Sequence, residues 1–74
     1  MKHQIRDQID AGTRLTKSDS PAYTFEVMEM WTPVDGLPHA RTRVRMMNHD
    51  LGVRLYAVSA LLDRRLFHVV ENSV

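Results

Sequence analysis

The chain has 74 residues, no cysteine, and ten basic against nine acidic side chains, for a formal net charge of +1. That length holds a single domain of modest stability, because a chain this short buries only about 60% of the surface its unfolded form exposes. The missing cysteine excludes disulfides, iron–sulfur clusters and thiolate zinc sites, and the near-balanced charge is no polyanion-binding signature in itself.

Met1-Lys2-His3-Gln4 leads into charged rather than apolar residues, so no signal peptide is expected. The longest near-apolar run, Tyr56 to Leu62, is too short to cross a bilayer. The expected setting is therefore cytoplasmic, without membrane contact. Residues 1–10 carry only Ile5 and Ile9 as large apolar anchors beyond Met1 and read as a flexible or weakly helical tail, and 11–74 as the domain. Ala11 to Thr16 then makes a first short strand anchored by Leu15.

Tyr23 to Trp31 alternates as a strand, with Tyr23, Phe25, Val27 and Trp31 on one side and Thr24, Glu26, Met28 and Met30 on the other. Glu29 falls on the apolar side, which predicts a bulge there or a strand that bends out of the core. Pro33 to Pro38, with Asp35-Gly36 inside it, is a loop that its prolines keep from becoming strand. Ala40 to Met47 alternates more cleanly: Arg41, Arg43 and Arg45 share one face, opposite Thr42, Val44 and Met46. A helix would scatter those arginines around its circumference. Asn48 to Leu51 makes the next turn, and Val53 to Ser59 turns Val53, Leu55 and Ala57 to one side and Arg54, Tyr56 and Val58 to the other.

The stretch after Gly52 supports two readings. Leu55, Val58, Leu62, Leu66 and Val69 fit helical spacing, giving an α+β alternative of a three-stranded meander plus a C-terminal helix. Against one long helix, Gly52 and Val53 would sit in its first turn, and Ser59 is a good N-cap for a separate short turn ending near Asp63. Leu66 to Val70 then forms the last strand. Matching apolar faces pairs Met46 with Val53 and Val44 with Leu55, and pairs Val27 with Val44 and Phe25 with Met46. The expected fold is mainly β, a five-stranded antiparallel barrel with a helical turn over about 59–63. This element order resembles that of SH3-like barrels, a resemblance of architecture that implies no particular function.

Few chemistries suit these residues. His39 and His49 flank one strand about 30 Å apart and cannot share an ion, and His49-Asp50 offers two adjacent ligands where zinc needs three or four that converge. There is no nucleophile elbow, no scaffold of clustered glycines for phosphate, and Glu26 and Glu29 point to opposite faces of their strand. No enzyme activity, metal or cofactor is expected. Eight of the ten basic residues are arginine, which favours forked contacts with carboxylates or phosphates. Arg41, Arg43 and Arg45, extended by Arg54 and interleaved with Tyr56, form the leading candidate site, a groove for single-stranded nucleic acid or another polyanion. The plainer reading is that arginine stems cover the outer sheet face, with Glu26 neutralising part of the row. The alternative site is a protein-contact patch of Trp31, Val34 and Leu37, where an exposed tryptophan would anchor a partner.

Overall fold

The two-residue alternation is realised as five strands and one short helix in a computed structural model that describes residues 9–34 and 36–71. Strands β1 (Arg14–Lys17), β2 (Ser20–Trp31), β3 (His39–Met46), β4 (His49–Ala57) and β5 (Phe67–Glu71) form one antiparallel sheet in the order β4-β3-β2-β1-β5. Helix α1 (Val58–Leu61) joins β4 to β5. Strands therefore occupy both ends of the stretch that also fits helical spacing, and the C-terminal-helix alternative is not realised.

One inward-facing row crosses the whole sheet. Val69 lies opposite Leu15, Leu15 opposite Phe25, Phe25 opposite Val44, and Val44 opposite Gly52. Leu15, Phe25 and Val44 are buried, with Ile9, Val27, Ala40, Leu61 and Phe67 completing the core. Burying one such large side chain stabilises the fold by about 1.5–3 kcal/mol, whereas an exposed ion pair contributes about 0–1 kcal/mol. Apolar matching along this row therefore sets the register, and the charges follow it. Ile9 ties the chain ahead of β1 to the core, while the tail expected over residues 1–8 lies outside the described residues.

Phe25 meets two rings edge-on, Tyr56 at 5.9 Å and Phe67 at 5.0 Å between centroids, and Tyr56 and Phe67 are themselves 5.9 Å apart. Tyr56 is on β4 and Phe67 on β5, the two edges of the sheet, so the sheet curls until its edges meet through side chains. Among the described residues no backbone pairing joins β4 to β5, and the sheet stays open. The five-stranded antiparallel sheet expected from the element order is formed, without backbone closure into a barrel among the described residues.

The pairings correct both expected registers. Phe25 pairs with Val44 and Tyr23 with Met46, a shift of two that leaves each residue on its expected face. On β4 the difference has consequences. The turn is only Met47-Asn48, with Met46 opposite His49, and a bulge near Leu51 brings Gly52 opposite Val44. Gly52 takes a φ of +94° there, and the Asp50 carboxylate accepts its backbone N–H at 2.8 Å. The resulting shift of three, an odd number, turns Val53 and Leu55 outward and Arg54 and Tyr56 inward. The bulge expected near Glu29 is present between Val27 and Glu29; beyond it Glu29 and Trp31 lie on the outer face, opposite Arg41 and His39. Ser59 is not the N-cap of α1, which follows Ala57 directly and has no side-chain cap; its anchor is the buried Leu61.

At the β3–β4 turn Met47 has a φ of +55°, and Asn48 is not among the positive-φ residues. This is the pattern of a II′ turn, whose first central position favours glycine. Met47 is 75% exposed and loses little packing on truncation. Met47→Gly is expected to stabilise the protein by roughly 0.5–1 kcal/mol, the strain relieved less the added entropy of the unfolded chain. Thermal unfolding followed by circular dichroism should show a midpoint about 2–8 °C higher; an unchanged or lower midpoint would contradict the turn assignment.

Candidate functional site

The outer face of β2, β3 and β4 is built in cross-strand rows. Arg45 lies between Thr24 and Asp50, Arg43 between Glu26 and Val53, Arg41 between Glu29 and Leu55, and His39 between Trp31 and Ala57. Strict alternation along β3, where Ala40, Thr42 and Val44 are buried and Met46 half-buried on the inward side, keeps the three arginines together. This part of the sequence-predicted site is assembled as expected. Arg54 and Tyr56 are not part of it: they lie opposite the buried Thr42 and Ala40, on the inner face.

Each arginine of the row has a carboxylate. Arg43 donates to Asp50 at 2.6 Å, Arg45 reaches Glu26 diagonally at 3.5 Å, and Arg41 lies 3.5 Å from Glu29. Glu26 and Glu29 reach the same face because of the intervening bulge, which undoes the opposition their spacing implies in a regular strand. The outer face is thus a charge ladder rather than a bare cationic stripe. Asp50 titrates below its ordinary range, first because the Gly52 N–H donates to it and then through the charges of Arg43 and Arg45, against the opposing effect of burial.

Beside this ladder the apolar content is high. Trp31 is 49% exposed, Val53 40% and Leu55 48%. With Glu29, Arg41 and Arg54 they line a groove of about 480 Å³. Trp31 packs near the His39 ring, 6.1 Å between centroids, and the His39 Nδ1–H donates to the Leu37 carbonyl at 2.7 Å. That bond fixes the approach of the β2–β3 loop to the start of β3. Val34 and Leu37 on this loop are exposed, as the protein-contact reading requires, yet neither lines the groove. Val53 and Leu55 were legible only as inward residues, and nothing in the local pattern distinguishes the two faces of β4.

Among the described residues no three histidine, aspartate or glutamate side chains converge as a metal site, and no helix is long and apolar enough to cross a membrane. Comparison with known proteins yields no match to a family model, a curated protein or a solved structure.

Asp50 stands at the centre of the β4 bulge, so its titration reports on the bulge. A carboxylate whose folded pKa is depressed contributes stability that is present above its unfolded value, here 3.8, and is lost as pH falls through the folded value. Asp50→Asn is expected to be less stable than the parent at pH 7, with the gap narrowing below about pH 4. Urea midpoints at pH 7 and pH 3 check this; a gap of the same size at both would remove the carboxylate's role.

Proposed function

We propose that this chain is a non-enzymatic protein-contact module, whose working surface is the outer side of β4 together with Trp31. One observation carries the reading: Val53 and Leu55 are exposed on the solvent face of an edge strand, beside an exposed tryptophan, while the inner face of that strand supplies Tyr56 to the core. Side-by-side apolar groups at an unpaired edge are what an added strand covers, with backbone hydrogen bonds giving affinity and alternate side chains giving selectivity. Trp31 is the residue type that most often anchors such contacts. Glu29 and Arg41 at the groove supply a polar rim. The element order and the helical turn before the last strand support an SH3-like architecture for the module, which by itself names no ligand.

A second reading has one observation in its favour, the side-by-side placement of Arg41, Arg43 and Arg45 on one face. Polyanion binding there requires a phosphate to displace Glu29, Asp50 and Glu26 from arginines they already neutralise, which lowers the gain from counterion release.

The two readings separate in one set of titrations. Peptides selected from a random display library against the full chain should be apolar and extended, should protect Trp31 from iodide quenching, and should bind about tenfold or more weakly to Leu55→Glu. Leu55 is exposed, so the variant keeps its core. Selected peptides that bind Leu55→Glu undiminished would overturn the proposal. A single-stranded oligonucleotide that shifts the amides of Arg41, Arg43 and Arg45 in a salt-sensitive manner, with no peptide selected, would install the polyanion reading instead.

A further inference from the structure

The open seam of the sheet, on the side away from the charge ladder, holds a cleft of about 350 Å³ whose lining includes Lys17, Tyr23, Phe25, Arg54, Tyr56 and Phe67. It exists because β4 and β5 meet through rings and not through backbone: Phe25, Tyr56 and Phe67 are mutually edge-on at 5.0–5.9 Å. Phe25 and Phe67 are buried in this cluster and Tyr56 is half-buried, so the three rings form the floor of the cleft. Tyr23, next to Phe25 along β2 on the same face, adds a fourth ring and a phenolic hydroxyl.

The charges here differ from those on the outer face. No carboxylate lines the cleft, and both charged residues in it are cations. The Arg54 side chain makes no ion pair or hydrogen bond with any described residue, in contrast to Arg41, Arg43 and Arg45, which all have carboxylates. Among the described residues the Lys17 ammonium has the Tyr23 ring, 5.9 Å to its centroid, and no carboxylate. That contact holds the Lys17 charge over the aromatic wall without neutralising it. A mainly apolar cleft with a few polar groups at defined positions is the usual form of a small-molecule site, and this one lies at the small end of the range of about 300–1,000 Å³.

We propose that this seam is a binding site for a small aromatic carboxylate, a compound of one or two fused rings bearing a single carboxylate. Its ring packs against Tyr56 and Phe67, and its carboxylate accepts hydrogen bonds from the Arg54 guanidinium and the Lys17 ammonium. Arg54 gives the forked donor geometry that a carboxylate matches with both oxygens. The cleft accommodates one or two rings, and its two cations with no lining acid favour an anionic ligand over a cationic one. Arg54 lines both this cleft and the Trp31 groove, whereas Tyr23, Tyr56 and Phe67 line the cleft and not the groove, so shifts of those three rings distinguish the two sites.

The test uses the full chain and 2-naphthoate as probe, followed by two-dimensional amide and aromatic NMR, with neutral 2-naphthamide as the control. Naphthoate should shift Tyr23, Tyr56 and Phe67 resonances in a saturable manner, and naphthamide should bind about tenfold or more weakly, reflecting the loss of charge-assisted hydrogen bonds. Arg54→Gln should weaken naphthoate by a similar factor and leave naphthamide unchanged, and Arg54→Lys should restore part of the loss. Both variants change an exposed side chain and keep the core. Equal affinity for naphthoate and naphthamide, no effect of Arg54→Gln, or shifts confined to the outer face would each overturn the proposal.

Discussion

The row Val69–Leu15–Phe25–Val44–Gly52 is the constraint on which the remaining structure depends. It is the line along which five strands agree on which face is inside, and its central members are buried. Once Phe25 is opposite Val44, the position of every other side chain on β2 and β3 follows from pleating, except where a bulge intervenes. The row also ends in a glycine, the one residue in it that contributes no side chain. There Tyr56, four positions farther along β4, turns its ring into the same core and meets Phe25 and Phe67.

Two bulges then convert a regular sheet into one with two different surfaces. The bulge after Val27 moves Glu29 and Trp31 to the outside, supplying an ion pair for Arg41 and an exposed ring at the end of the face. The bulge near Leu51 sends Val53 and Leu55 outward and Arg54 and Tyr56 inward. Without the first, Glu29 would enter the apolar interior, at the cost of desolvating a charge. Without the second, Arg54 would lie on the outer face with the other arginines and Tyr56 would leave the aromatic cluster. The neutralised outer ladder and the place of Arg54 at the seam, without a carboxylate among the described residues, are thus two results of the same pair of insertions.

The ends of the sheet carry the same logic. The edges β4 and β5 approach because Phe25 lies between Tyr56 and Phe67, and bulky rings at the seam hold the curled sheet without backbone closure. Helix α1 is too short to have any strength of its own and persists because Leu61 is buried beneath it and the Val58 N–H is bonded to the Pro38 carbonyl at 3.0 Å. Downstream, the Asp63 carboxylate accepts the Arg65 side-chain and backbone N–H groups, and the Ser18 hydroxyl donates to the Arg64 carbonyl, tying the β1–β2 turn to the segment before β5.

By itself the sequence determined the mainly β class, strands over 23–31 and 40–47 (the second one residue too long, since Met47 belongs to the turn), the shared face of Arg41, Arg43 and Arg45, and an irregularity at Glu29. These are local properties: alternation, β-branched and aromatic content, and a charge that cannot enter an apolar face show within a few residues of chain. The placement of β4 was not legible. Val53, Leu55 and Ala57 on one side and Tyr56 and Val58 on the other are both apolar enough to face a core, so composition cannot choose between them. The choice belongs to the tertiary structure, through a two-residue turn, one bulged residue at a glycine with positive φ, and the aromatic contacts that Tyr56 gains with Phe25 and Phe67. Whether the sheet closes was decided at the same level, because the meeting of β4 and β5 depends on how far the strands between them curl and on which side chains occupy the seam. A two-residue periodicity specifies two faces; only packing between distant segments decides which of them is inside.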